Sequence, residues 1–280
     1  LYFSVKISII MINQNCYLCN KKSLPVYQLR DKTICRCFND DLFFSINKKN
    51  SQFVYDQDYY ESSPYTNFLI LKDIYFQNKI KKILALSPKE GLKILDVGCG
   101  WGNFLQILDK NHLDYLGIDV SKEAVAICRK KALYCQKADL INLGKDSKQK
   151  YSAVTFFQVI EHLKNPLDYL KAAKKLLKKN GVLLITTPNN SSPFRTLFGP
   201  KWSVYNTPSH YFFYSKKSLG RLLKMAGFNK FEIRIDPPRY FSLNYILQRI
   251  FKKKLSVPKF FDLPIPTDPL GDLEAIAINQ

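Results

Sequence analysis

The segment Ile94-Leu95-Asp96-Val97-Gly98-Cys99-Gly100-Trp101-Gly102-Asn103-Phe104 runs from a buried-strand pattern into three alternating glycines and then into a helix start. Glycines recur where backbone must approach a ligand closely or take positive φ. The carboxyl end of a strand in an open α/β sheet is where such ligands bind. The spacing Gly98-x-Gly100-x-Gly102 differs from the dinucleotide fingerprint G-x-G-x-x-G, so it predicts no pyrophosphate cradle. Asp96, ahead of the turn, can accept a hydrogen bond from an ammonium group or from a water bridging to one. Asp119 ends the next strand pattern seventeen residues after Gly102, where an acid can take two ribose hydroxyls.

Outward from this turn, short β-rich runs alternate with amphipathic stretches. The runs are Lys93–Val97, Tyr115–Asp119, Ala153–Phe157 and Val182–Thr187, with helices near 103–110, 122–131 and 166–179 between them. That alternation predicts βαβ units and a parallel sheet. For the third helix, Asn165 is the expected N-cap, Pro166 suits the first position and Gly181 follows the end. Ser215 is the expected cap of a helix stopped by Gly227. Phe231–Ile235 and Leu273–Ile278 then read as two final strands, an antiparallel pair closing the sheet.

Five segments in this order resemble the motifs of class I S-adenosylmethionine-dependent methyltransferases. Asp96-Val-Gly-Cys-Gly-Trp-Gly102 looks like the first, and Gly117-Ile-Asp119-Val-Ser121 resembles the second. Ala138-Asp139-Leu140 resembles the third, Phe156-Phe-Gln-Val-Ile-Glu-His162 the fourth, and Leu183–Pro188 the strand that follows. The resemblance implies a Rossmann-like, mostly parallel seven-stranded sheet with helices on both faces and an antiparallel last strand. It implies S-adenosylmethionine bound by Asp96, Gly98, Cys99, Gly100, Trp101 and Gly102, by Asp119 and Val120, by Asp139 and Leu140, and by Gln158. One family marker is missing: the position ahead of strand four, usually acidic, reads Tyr151-Ser152.

Methyl transfer from a sulfonium is an in-line displacement, and a hydroxyl acceptor must also lose a proton. Histidine does this well near neutral pH. Of three histidines, His112 lies between a helix and a strand and reads as structural. His162 falls at the ligand edge of the sheet. His210, in Pro208-Ser-His-Tyr-Phe-Phe-Tyr-Ser215, lies in a stretch resembling the His segment of ubiquinone-biosynthesis O-methyltransferases and nucleotide-sugar methyltransferases. Glu161, His162 and His210 are therefore the candidate catalytic residues. In the ubiquinone-type enzymes a Glu-x-x-Glu-His pattern is associated with a divalent cation. Here the first carboxylate is the amide Gln158, which weakens the case for Mg²⁺.

Cys16-x-x-Cys19 and Cys35-x-Cys37 approach a structural zinc pattern, with the second pair tighter than the usual knuckle. Sugar and surface-glycan methyltransferases resemble this layout. The expected ligands are Cys16, Cys19, Cys35 and Cys37; Cys99, Cys128 and Cys135 read as packing residues. Seven cysteines without secretory signals fit a reduced, cytoplasmic protein.

The chain is expected to divide into a leader or remnant (1–12), a small Cys-rich zinc knob (13–50), a helical lid or linker (51–90) and a methyltransferase domain (91–280) with a basic insertion (236–270). Of the net charge of +20, half lies in residues 216–260, where twelve Lys/Arg face only Glu232 and Asp236. Such a field attracts anionic acceptors or lipid headgroups. Residues 240–254 read either as a helix packed on its own domain or as an amphipathic helix making peripheral membrane contact. The expected reaction is methyl transfer to a small-molecule or glycan acceptor, at a hydroxyl oxygen. The alternatives are a nucleotide-sugar C-methyltransferase, an RNA methyltransferase and a non-catalytic cofactor-binding subunit. Nucleic acid is disfavoured because Asp236-Pro-Pro-Arg239 follows the wrong strand for the Asn/Asp-Pro-Pro motif.

Overall fold

The computed structural model describes residues 14–47, 69–70, 72–146, 148–237, 239–244, 263–267 and 271–280, with isolated positions 247 and 258. The leader, and residues 51–68 and 71 of the lid segment, lie outside these residues. So does most of 240–254, although its first residues belong to a strand.

In chain order, β1 (Gln14–Asn15), β2 (Lys22–Gln28), β3 (Lys32–Cys37) and β4 (Leu42–Asn47) precede β5 (Leu69–Ile70) and α1 (Lys72–Leu86). The βα alternation follows: β6 (Lys93–Val97), α2 (Asn103–Lys110), β7 (Asp114–Asp119), α3 (Lys122–Lys130), β8 (Cys135–Lys137), α4 (Leu140–Asp146) and β9 (Tyr151–Phe157). Then come α5 (Pro166–Leu176), β10 (Leu177–Pro188), α6 (Pro193–Phe198), β11 (Phe212–Phe213) and α7 (Lys216–Met225). The chain closes with β12 (Lys230–Ile235), β13 (Arg239–Ser242), β14 (Pro264–Thr267) and β15 (Asp272–Ile278).

The main sheet has seven strands in the order β12-β15-β10-β9-β6-β7-β8. β15 runs antiparallel to both β10 and β12, and the other pairings are parallel. This is the expected architecture, including the antiparallel final strand. Strand alternation divides the core into two layers. Leu95 and Val97, with Leu183 and Ile185, face α5 and α7; Ile94, with Val182 and Leu184, faces α1 and α2. Each such side chain, fully buried, stabilises the fold by about 1.5–3 kcal/mol. From β6 the chain winds outward through β7 and β8, and it returns on the other side through β9 and β10. The strand order therefore reverses between β6 and β9, and a crevice opens at their carboxyl ends.

Three local expectations need correcting. The helix expected over 166–179 ends at Leu176, because β10 begins at Leu177 and carries an irregularity before Val182. The Asn279 side chain donates to the carbonyls of Leu177 and Lys178, holding this crossing from the far end of the chain. Gly181 consequently lies inside β10, not beyond a helix end. Asn165 occupies the cap position but makes no side-chain cap bond. Residues 239–242, at the head of the expected helix over 240–254, form β13 between β14 and β5.

The Cys-rich segment forms an antiparallel sheet, and β11 joins it by pairing with β4. Cys16, Leu18, Cys37, Leu42 and Phe44 share one apolar cluster with α5 and α7.

Candidate active site

The crevice between β6 and β9 gathers most of the residues singled out from the sequence. Gly98 and Gly102 take φ of 67° and 73°. A Cβ on Gly98 would lie 2.7 Å from Val159 Cγ2, and one on Gly102 would lie 2.6 Å from Leu133 Cδ1. The backbone conformation favours glycine at both positions, and at Gly98 the branched Val159 leaves no room for a Cβ.

Asp119 binds the turn to the second strand. Its Oδ2 accepts the Gly100 N–H at 2.9 Å and its Oδ1 accepts the Ser121 N–H at 2.9 Å. Burial nonetheless raises its carboxyl above the usual range, against those two bonds. Asp96 is buried at the end of β6 and accepts one hydroxyl bond, from Thr155 at 2.7 Å. With so little compensation, burial pushes it up to about 7. Val120, just beyond Asp119, is 52% exposed, an apolar side chain turned to solvent beside the turn. The Trp101 carbonyl accepts from Lys131 at 2.8 Å.

Asp139 has a structural task as well as an expected ligand role. Its Oδ1 accepts the N–H groups of Ile141 and Asn142 at the start of α4, and its Oδ2 accepts the Tyr169 hydroxyl. Leu140 buries its side chain and opens α4. Gln158 follows β9 at φ 57°, its N–H bonded to the Thr186 carbonyl at 2.9 Å. A non-glycine residue in this conformation is uncommon, and such strain clusters at ligand sites.

Directly after Gln158, a short 3₁₀ turn (Ile160–His162) presents Glu161 and His162. The turn meets the His210 loop: the Tyr211 N–H bonds the Glu161 carbonyl at 2.9 Å, and the two imidazole rings lie 4.6 Å apart edge to face. Glu161 Oε2 accepts the Thr187 hydroxyl at 2.9 Å. His162 Nδ1 meets the Ser209 carbonyl at 3.2 Å, and His210 Nδ1 meets the Val204 carbonyl at 3.0 Å. A carbonyl oxygen only accepts, so each Nδ1 carries the proton and each Nε2 the lone pair. Burial holds His162 down at about 4 and His210 well below its ordinary value, with the Lys32 ammonium adding to both. Lys32 itself donates to the Thr207 carbonyl at 2.6 Å, beneath the histidine loop. Glu161, His162 and His210 each place a possible ligand atom within 4.8 Å of the others.

The cysteines sort differently from the expected set. Cys16, Cys19 and Cys37 come together with Asp40, all within 4.8 Å, and Cys35 is not part of that group. Cys35 stands two residues before Cys37 on β3, and its sulfur lies outside the group that gathers around Asp40. Asp40 stands three residues after Cys37, repeating the Cys16-x-x-Cys19 interval. That interval was the overlooked signal. Its Oδ1 accepts from Arg221 of α7 at 2.7 Å.

A family model described as "Methyltransferase domain" matches residues 73–233, more than half of the chain. The chain belongs to this family. It is an S-adenosylmethionine-dependent class I methyltransferase by fold, motif order and relatives. A ubiquinone biosynthesis O-methyltransferase of Pelagibacter ubique is 26% identical over 189 residues, 59% of this chain and 78% of that protein. The namesake protein of Dinoroseobacter shibae is 30% identical over 155 residues, 50% of this chain and 61% of that protein. Several further relatives of that name are matched over about half their length. A solved S-adenosylmethionine-dependent methyltransferase of Archaeoglobus fulgidus superposes with a TM-score of 0.52 at 20% identity, covering 74% of this methyltransferase and 94% of that chain. No helix among the described residues of the methyltransferase is long and apolar enough to cross a membrane.

Proposed function

We propose that this methyltransferase moves the methyl group of S-adenosylmethionine to a hydroxyl oxygen of a small-molecule or glycan acceptor, with His162 taking the proton. The observation that carries the reading is the pair of adjoining imidazoles at the carboxyl edge of β9, beside the glycine turn. In the reaction the acceptor oxygen attacks the methyl carbon, the carbon–sulfur bond breaks, and the sulfonium leaves as a neutral thioether. The acceptor proton passes to the histidine. His162 is the more exposed of the two rings; His210, buried behind it, supports its position. The matched relatives are named as O-methyltransferases of ubiquinone biosynthesis, which favours oxygen as the nucleophile here.

Donor binding is assigned to Asp96, the Gly98–Gly102 turn, Asp119 with Val120, Asp139 with Leu140, and Gln158. Asp96 faces the amino-acid end and Asp119 the ribose. The basic stretch 216–260 favours an anionic acceptor. The donor set Cys16, Cys19, Cys37 and Asp40 suits a structural Zn²⁺, with thiolates in three places and a carboxylate in the fourth. Mg²⁺ is not favoured at Glu161, because two imidazoles and one carboxylate form a poor site for a hard cation. The seven free cysteines suit a reducing, cytoplasmic setting.

The test is an acceptor screen with radiolabelled donor over catechols, quinone precursors, nucleotide sugars, glycans and RNA. His162→Ala is expected to lower kcat about 100-fold or more while leaving the affinity for S-adenosylhomocysteine unchanged. An unchanged rate in both His162→Ala and His210→Ala contradicts the assignment of the base.

A further inference from the structure

Cys99, Cys128 and Cys135 come from three separate elements: the glycine turn, the last turn of α3 and the start of β8. The fold nevertheless aims all three sulfur atoms at one point. They lie within 4.8 Å of one another, and all three residues are buried. Cys99 Sγ is 3.3 Å from Cys135 Sγ, and Cys128 Sγ is 3.2 Å from the Gly100 carbonyl oxygen. Packing alone asks for small apolar volume and does not require convergence of thiols. We propose that Cys99, Cys128 and Cys135 form a second metal site, for a soft thiophilic cation of the monovalent copper type, beneath the cofactor turn. It is separate from the Cys16 cluster and shares no residue with it.

The donor set decides the class of ion. Three sulfurs with one backbone carbonyl make a soft site of low coordination number, which favours Cu⁺ over the hard cations. Metal–sulfur bonds of ~2.3 Å arranged in a plane set the sulfurs ~4 Å apart, within the range the three span. Because Cys99 and Gly100 belong to the turn that Asp119 fastens, occupation of this site and donor binding are linked and must affect each other reciprocally.

The test uses the full-length protein and Cd²⁺ alone as a spectroscopic stand-in, under reducing conditions without competing thiols. Thiolate-to-cadmium absorbance is expected to saturate at two equivalents per chain, the Cys16 cluster accounting for one. Cys128→Ala should saturate at one. Cadmium loading should shift S-adenosylhomocysteine affinity at least threefold in the parent protein and not in the variant. Thiol alkylation of the parent protein, read residue by residue by mass spectrometry, decides the case even if Cys128→Ala fails to fold. Cadmium should slow modification of Cys99, Cys128 and Cys135 at least tenfold. Equal cadmium stoichiometry in the parent protein and in folded Cys128→Ala, or alkylation of these three residues at unchanged rates, overturns the proposal.

Discussion

Asp96 and His162 sit in the same crevice, and burial drives both toward neutrality with opposite consequences. Asp96, raised to about 7, becomes protonated just below neutral pH and loses its attraction for an ammonium group. His162, held at about 4, keeps its lone pair down to acid pH. The two effects separate in kinetics. Between pH 8 and 5 the kcat at saturating donor should stay level as far as the base is concerned. The kcat/KM for the donor should fall below pH 7, approaching tenfold per unit, and Asp96→Asn should remove that fall. A kcat that drops with a midpoint near the ordinary histidine value would contradict the neutral imidazole. At this scale the glycine turn, Asp96 and Asp119 were legible from motif order and spacing, and the two histidines from the family resemblance. Thr155 as the partner of Asp96, and Lys32 beneath the histidine loop, were not. Both contacts join residues far apart in sequence, and only the sheet register brings them together.

At the level of elements, helix α7 shows how much a cap contributes. The Ser215 hydroxyl accepts the Ser218 N–H at 3.3 Å, the Ser218 hydroxyl accepts the Ser215 N–H at 2.8 Å, and the Ser215 hydroxyl also donates to the Asp41 carbonyl. Ser215→Ala should therefore destabilise the protein by about 1–2 kcal/mol, seen as a lower midpoint in denaturant with an unchanged slope. No loss of stability would mean that water replaces the cap. The start of α7 was readable because its signal is local. The end of α5 was misjudged for the opposite reason. Its lysine-rich continuation reads as helix, yet the Asn279 side chain takes the Leu177 and Lys178 carbonyls from about a hundred residues away. The expected ligand set differs from the group that converges at one position, where the turn after β3 brings Asp40 to the three cysteines and Cys35 stays outside.

Across the whole molecule, the Cys-rich sheet and the candidate crevice are joined by strand pairing and hydrogen bonds. β11 extends that sheet, and Ser45 of β4 donates its hydroxyl to the His210 carbonyl at 2.8 Å and its N–H to the Tyr211 carbonyl at 2.8 Å. Arg221 of α7 reaches Asp40 from the other side. Removing the proposed Zn²⁺ from Cys16, Cys19, Cys37 and Asp40 should accordingly lower transfer rate by displacing the His210 loop, while donor affinity holds. Asp40→Ala should reproduce this, with zinc content measured by native mass spectrometry; loss of zinc with full activity in the variant would contradict the coupling. The reversal of strand order at β6 and β9 remains the feature from which the donor site follows. Isothermal titration with S-adenosylhomocysteine tests it most directly. One molecule should bind per chain, with heat lost in Asp119→Ala while the circular dichroism of the fold is kept. Absence of heat in the parent protein, or saturable binding of a nicotinamide dinucleotide in its place, would contradict the account.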